Sequence, residues 1–256
     1  MENISNNKKY KNVILVTGGA SGIGLEISKF FINQSNDNFV FISDISSLKE
    51  DKEFKNSNYC FIKCDVTDEN QVVNLIQTIE KSDLKLDTVV NSAGVVYAEV
   101  IATNEKLHDS KMFMKVFEIN TFGTFLISKY SAKLMIKNKT EGNIIMISSL
   151  AGIEGQKGQT AYSSSKGAII GMTLPMARDL GRYKIRVNTI APGLINTPMT
   201  SNMLESKPIK SLINQTPLNK AGSPIDIALT VEYLMKNEFV NGTVIRVDGG
   251  VRMPYF

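Results

Sequence analysis

Seven short runs along the chain are rich in Val, Ile, Leu and Phe, and several are nearly unbroken: residues 13–17, 39–43, 59–63, 88–91, 143–148, 186–190 and 242–247. A strand with one wet face alternates apolar and polar positions, so near-continuous runs of this length predict strands covered on both faces of a parallel sheet. Between them lie longer stretches with helical apolar spacing, at 22–33, 69–81, 109–137 and 162–181. Strand and helix in alternation predict right-handed βαβ units. The expected fold is α/β: a single-domain, Rossmann-type, doubly wound parallel sheet of about seven strands with helices on both faces. No linker, repeat or low-complexity stretch divides it. The opening MENISNNKKYK is polar, so residues 1–11 are expected to form a flexible lead and 12–256 the single domain. No apolar run reaches the roughly 18 residues of a membrane helix, and no membrane span is expected.

Composition changes this picture little. The chain has 256 residues, 43% hydrophobic and 21% charged, which is ordinary for a globular domain. Such a length buries roughly three quarters of the unfolded surface without a metal or disulfide staple. The net charge is +4 with no block of basic residues, so a nucleic-acid partner is not indicated. Cys60 and Cys64 lie in the segment YCFIKC, where alternation sends both to one face of a strand; they read as buried inert thiols rather than a redox pair. His108, the only histidine, reads as a loop or helix-start residue, and no metal site is expected. The N-terminus lacks an apolar signal core and Arg. It therefore reads as neither a secretory signal nor a cleavable mitochondrial presequence, while an uncleaved import signal stays open.

The candidate chemistry sits at the ends of the predicted strands. The first strand runs into Thr17-Gly18-Gly19-Ala20-Ser21-Gly22-Ile23-Gly24 and then a helix. Glycines there allow a tight turn and let backbone amides approach a pyrophosphate, which the helix N-terminus favours. Asp44 ends the second strand, 20 residues after Gly24, where a carboxylate can hydrogen-bond ribose hydroxyls and repel the extra phosphate of NADP. NAD is the expected cofactor. Farther on, Tyr162 and Lys166 stand four apart and so share one helix face. An ammonium beside a phenol favours the phenolate, and such a tyrosine can exchange a proton with a substrate hydroxyl.

These motifs together identify the chain as similar to the short-chain dehydrogenase/reductase family, from about Lys11 to the end. The family's glycine-rich turn, NNAG segment, catalytic Asn, Ser, YxxxK and PG motif appear in order as 17–24, Asn91-Ser92-Ala93-Gly94, Asn120, Ser149, Tyr162 with Lys166, and Pro192-Gly193. Ser92 replaces the usual second Asn. The resemblance implies that Tyr162 is the general acid/base and that Lys166 binds the nicotinamide ribose and lowers the tyrosine pKa. Ser149 would steady the substrate oxygen, its neighbour Ser148 pointing elsewhere, and Asn120 would hold a water of the proton relay. Gly18, Ser21, Gly22, Ile23, Gly24, Asp44, Asn91, Ala93, Gly94, Pro192, Gly193 and Ile195 would line the cofactor cleft. Asp65 and Val66 would flank adenine, and Thr197 would meet the nicotinamide carboxamide. For Asp65 a plain strand-end turn is the alternative.

Within the family, the stretches around Tyr162 and Pro192-Gly193, the ending NGTVIRVDGG and the opening VTGGASGIG most resemble the branch that oxidises short or branched 3-hydroxyacyl-CoA thioesters, and also hydroxysteroids, in mitochondria. That branch implies an acyl-CoA substrate, a mitochondrial location (a cytoplasmic one being the alternative), a substrate contact at Gln156, and a homotetramer built on the helices 109–137 and 162–181. It also implies that residues 194–217 form a lid, with Met199, Met203, Leu204, Ile209, Leu212 and Ile213 over the acyl chain and Lys207 and Lys210 toward the coenzyme phosphates. The alternative is that these apolar residues seal the core. The interval from Gly94 to Asn120 is 26 residues, shorter than in that branch, which bears on acyl-chain preference. Competing functional readings are a 3-oxoacyl-carrier-protein reductase and a non-catalytic scaffold of the same fold.

Overall fold

Each apolar run becomes a strand because both of its faces find a helix layer. The computed structural model describes residues 9–48, 54–198, 200 and 207–252, with side chains in the last segment from Lys210 on. The strands are β1 (Asn12–Thr17), β2 (Asn38–Asp44), β3 (Tyr59–Lys63), β4 (Thr88–Asn91), β5 (Gly142–Ile147), β6 (Ile185–Pro192) and β7 (Val244–Val247). They form one sheet in the order β3-β2-β1-β4-β5-β6-β7, every neighbouring pair parallel. The helices are α1 (Gly22–Gln34), α2 (Glu69–Lys81), α3 (Ser110–Phe117), α4 (Thr124–Asn138), α5 (Thr160–Gly181), α6 (Lys207–Gln215) and α7 (Pro224–Lys236).

Side chains on alternate strand positions go to opposite cores. Val13, Leu15, Phe39, Phe41, Ile144 and Met146 pack with Leu75 and Ile79 of α2, Leu126 of α4 and Ile169 of α5. Ile14, Val16, Val40, Ile42 and Ile145 pack with Ile27 and Phe31 of α1 and with Ile227 and Val231 of α7. Burying such a side chain contributes about 1.5–3 kcal/mol, so the two layers hold the sheet without covalent aid. Cys60 and Cys64 are free thiols on the first of these faces, as expected, and burial pushes Cys64 up to about 11.

Three boundaries differ from the sequence reading. The expected helix 109–137 is two helices, α3 and α4, joined by a π-helical turn over Glu118–Gly123. An extra residue in that turn shifts the phase of the apolar stripe without interrupting it. Helices α6 and α7 lie where the strand-and-helix reading placed none. Of the expected N-terminal lead, residues 1–8 lie outside the described residues, while Tyr10 already packs edge-on against Phe39 and Lys11 N–H donates to Asp37. Among the described residues no helix is long and apolar enough to cross a membrane.

At the base of the sheet, Asp87 accepts hydrogen bonds from Val13 N–H at 2.5 Å and from the Thr88 hydroxyl at 2.8 Å. Burial nevertheless raises its carboxyl from 3.8 to about 6. The native state therefore holds this proton more tightly than the unfolded chain. The associated stability is present below the unfolded value and is lost as pH rises through about 6. Asp87→Asn keeps the acceptor for Val13 and removes the titration. We predict that its unfolding midpoint relative to the unmodified chain rises between about pH 4 and pH 7 and levels off above. A difference that stays flat or falls across that range, read by thermal unfolding in a pH series, would refute the assignment.

Candidate active site

The strand order reverses between β1 and β4, and there the chain segments leaving the two strands diverge to open a cleft of about 550 Å³. One wall is the glycine turn after β1. Gly18 takes φ +64°, and a Cβ there would stand 2.7 Å from the backbone of Ala93 across the switch point. Only a bare backbone fits. Ser21 and Gly22 then start α1, whose N-terminus has neither a side-chain cap nor an acidic residue in its first turn. Its free amides face an anion site. Gly18, Ser21, Gly22 and Ile23 line the cleft as expected. Gly24 does not: it lies behind the turn, where a Cβ would meet the Gly18 carbonyl at 2.2 Å, so its role is packing.

Asp44 forms the far wall. Its carboxylate accepts from Ala20 N–H at 3.1 Å and Ser46 N–H at 2.9 Å, which fixes it facing the glycine turn. Asp65 and Val66 line the same end. Asp65 is also a turn residue, with one oxygen accepting from both the N–H and the hydroxyl of Thr67, the alternative reading for that residue. Ala93, Gly94, Pro192, Gly193, Ile195 and Thr197 continue the wall. Asn91 does not reach it. It is buried at the end of β4, its amide donating to Ser128 and its carbonyl oxygen unpartnered among the described residues.

The other end holds the expected polar group. Ser149 follows β5 and caps a 3₁₀ turn at Leu150–Gly152, while Tyr162 and Lys166 lie one turn apart on α5. All three line the cleft. Ser148 also borders the cleft, but its hydroxyl donates to the Lys166 carbonyl, away from the Tyr162 phenol. Lys166 is 5% exposed; its ammonium donates to the Ile147 carbonyl at 2.9 Å and lies 5.9 Å from the Tyr162 ring centre. Burial lowers Lys166 to about 8. Burial also raises the Tyr162 phenol above its usual value, against a hydrogen bond from Ser149 that lowers it. In this arrangement burial is the larger influence on the phenol and opposes the lowering that the resemblance implies.

Asn120 sits in the π turn, fully buried behind the wall. Its Oδ1 accepts from Val95 N–H at 2.8 Å, and its Nδ2 donates to the Val95 carbonyl and to Ser165 Oγ, both at 3.0 Å. Both amide hydrogens are committed, so the side chain braces the segment after β4 and the face of α5. A side chain on Gly94 would stand 3.1 Å from Asn120 Oδ1 and 3.3 Å from Lys166 Nζ, which shows how closely these elements converge.

Gln156 is not brought to the cleft; its main-chain N–H is turned to the Gln159 side chain in the loop before α5. Of the expected lid, Met199, Met203 and Leu204 lie outside the described residues, as do the side chains of Lys207 and Ile209. Leu212 seals a small core with Leu150 and Val251, the alternative reading for that residue, and Lys210 is exposed. The cleft also takes in Cys64, read above only as a buried thiol, and Val95, Lys115, Ile119, Ile147 and Thr200, which were not singled out. Lys115 and Ile119 follow from helical spacing beside Asn120; the others carry no sequence signal of their own. The interval after Gly94 is held by Glu99, which accepts from Tyr97, Lys106 and Asp109 N–H while its own N–H donates to Gly158.

Comparison with known proteins agrees with this geometry. The model of the family described as short chain dehydrogenase matches residues 12–208. The 3-hydroxyacyl-CoA dehydrogenase type-2 of Drosophila melanogaster is 39% identical, over 95% of this chain and 98% of the relative. The 3-oxoacyl-acyl-carrier-protein reductase of Thermotoga maritima is 34% identical over 93% of this chain and 97% of that one. A solved 4-hydroxyisoleucine dehydrogenase complexed with NADH superposes with a TM-score of 0.85 at 30% identity, covering 94% of this chain and 98% of that one. The chain belongs to the short-chain dehydrogenase family.

Proposed function

We propose that this protein is an NAD-dependent dehydrogenase that interconverts short or branched 3-hydroxyacyl-CoA and 3-oxoacyl-CoA. The observation that carries the reading is one continuous cleft with an anion-binding helix end and Asp44 at one side and Ser149, Tyr162 and Lys166 at the other. The thioester rests on the similarity to 3-hydroxyacyl-CoA dehydrogenases, which exceeds that to the carrier-protein reductase.

The cradle fits a dinucleotide: the bare Gly18, the uncapped start of α1 and the carboxylate of Asp44 are the features a pyrophosphate and a ribose diol require. NAD, when bound, supplies the hydride acceptor. Asp44 accepts from the diol and, with no cation beside it among the described residues, disfavours an added phosphate. Tyr162, neutral at rest, holds the proton that a 3-oxo group needs on reduction, and in the oxidative direction it takes the proton of the 3-hydroxyl. The buried Lys166 ammonium favours the phenolate formed when that proton leaves. Ser149 donates to the same substrate oxygen and holds it against the phenol. Asn120 keeps the Gly94–Val95 segment and α5 at fixed spacing. By resemblance the compartment is the mitochondrion.

The same reading proposes a homotetramer. Phe122 and Phe125 are 45% and 41% exposed on the π turn and α4, and Leu174 on α5 is 44% exposed, a cost that a second copy of the chain removes.

Four outcomes test the proposal. Acetoacetyl-CoA should be reduced with NADH far more efficiently than free acetoacetate, because binding of the remote coenzyme can be used at the reacting carbon. Tyr162→Phe should lower that turnover at least about a hundredfold while NADH binding survives. Equal kcat/KM for thioester and free acid would remove the coenzyme A assignment, and an active phenylalanine variant would remove the acid/base. For the cofactor, fluorescence titration should show NADH bound more tightly than NADPH, and Asp44→Ala should weaken NADH roughly tenfold, the loss of a charged hydrogen bond. Tighter binding of NADPH by the unmodified chain would overturn this choice. Sedimentation velocity should give a four-chain species that Phe125→Glu converts to smaller ones; a monomer in the unmodified chain contradicts the assembly.

A further inference from the structure

In the run Val-Ile-Arg-Val of β7, a lone charged residue, Arg246, interrupts an apolar strand. Opposite Ala191 of β6, it lies in the last strands of the sheet, three quarters buried. A long cation there requires partners, and this one has three, on two segments. Nε donates to Asp248 at 2.7 Å, in the turn after β7. One terminal nitrogen donates to Glu154 at 2.7 Å, in the loop that begins at Ser149. The other donates to the Val251 carbonyl at 3.0 Å. Every arm of the guanidinium fork is therefore used, which an ammonium cannot imitate.

The segments so joined border the substrate end of the cleft. Val251 is buried with Leu150, the residue after Ser149, and with Leu212 of α6 and Leu194. Gly249, at φ +62°, lies against Thr216 just after α6, where a Cβ would meet the Thr216 methyl at 2.8 Å. Gly193 touches Asp248, and its N–H is held independently by the Val247 carbonyl at 2.9 Å. Arg252, from an exposed position, shares the Val251 carbonyl at 2.8 Å and adds longer contacts to Glu154 and Asp248, at 3.8 and 3.7 Å.

We propose that Arg246 is a positioning residue of the substrate site, which latches the C-terminal turn at 248–251 to the Ser149 loop so that the two borders of the site keep one spacing. The inference rests on the reading of Ser149 as a substrate contact. It makes the turn at 248–251 part of the substrate end, although among the described residues none beyond β7 lines the cleft. The dinucleotide end, on β1 and β2, lies outside the latch.

The test is Arg246→Lys, which keeps the charge and loses the fork, with Glu154→Gln and the double variant beside it. Amide hydrogen exchange should quicken about tenfold in 150–154 and 248–252 together, the scale of one lost charge-assisted bond. In the same variant KM for the ketone substrate should rise at least about fivefold, with kcat and the NADH dissociation constant within about twofold. Glu154→Gln should act in the same direction, and the double variant should be no worse than Arg246→Lys alone, because both break one junction. Unchanged exchange in either segment overturns the latch. So does an unchanged KM, or a loss confined to NADH binding. Should Arg246→Lys fail to fold, Glu154→Gln is judged by the same outcomes. An unmodified chain that turns over no ketone sinks the proposed function instead, while exchange still decides the latch.

Discussion

The site depends on a charge kept out of water. Among the described residues the Lys166 ammonium donates only to the Ile147 carbonyl, and at 5% exposure it has little solvent to replace the missing partners. Burying a cation so sparsely paired costs free energy, which is why its pKa falls to about 8. The surrounding structure tolerates that cost because it is rigid. Ser148 holds the Lys166 main chain, Asn120 fixes Val95 and the neighbouring Ser165, and Gly94 leaves the space the ammonium occupies. A cation held this way gains most when negative charge develops beside it, and the phenol of Tyr162 is the group placed to develop it.

That logic also bears on the expectation, implied by the resemblance, of a lysine that simply depresses the tyrosine. Burial shifts both toward their neutral forms: the lysine downward and the phenol upward. At about 8 the lysine still carries its proton at neutral pH, and a phenolate formed beside it compensates that charge in low dielectric. Proton transfer at Tyr162 is thereby coupled to the charge state of Lys166, and Ser149 adds a hydrogen bond that favours the anion.

How much of this was legible in the sequence depended on whether a feature is local. The strands were, because Val13 to Val16 or Ile144 to Ile147 can be apolar at every position only if both faces are covered. The glycine turn, Asp44 and the four-residue spacing of Tyr162 and Lys166 were legible for the same reason. Helix α7 had its own signal, a capping box between Ser223 and Asp226 with Pro224 at the first turn, which the alternation pattern did not use. The π turn had none: it inserts a residue into a helix whose composition stays helical, and Asn120 is brought to Val95 only by that insertion. Gln156 and Asn91 were misplaced because adjacency in sequence does not say toward which side of a loop or strand end a side chain turns. The direction of the Tyr162 shift was illegible because desolvation belongs to the assembled cleft.

The two ends of the cleft are built by different physics, and this bears on what each can tolerate. At the dinucleotide end the determinants are backbone: a left-handed glycine in contact with the opposite strand, free amides at a helix start, and one carboxylate pinned by main-chain N–H groups. Few substitutions can preserve such contacts. At the substrate end the borders are long segments held largely by side-chain charge: Glu99 pairs with Lys106 inside the interval after Gly94, whose main chain meets Gly158 before Tyr162, and Arg246 ties the turn after β7 to the loop after Ser149. Ion pairs between loops can be lengthened, moved or exchanged without disturbing the sheet, because no strand register depends on them. A fold with a fixed cofactor end and a substrate end assembled in this way can change its substrate by altering loops while Tyr162 and Lys166 stay where α5 puts them.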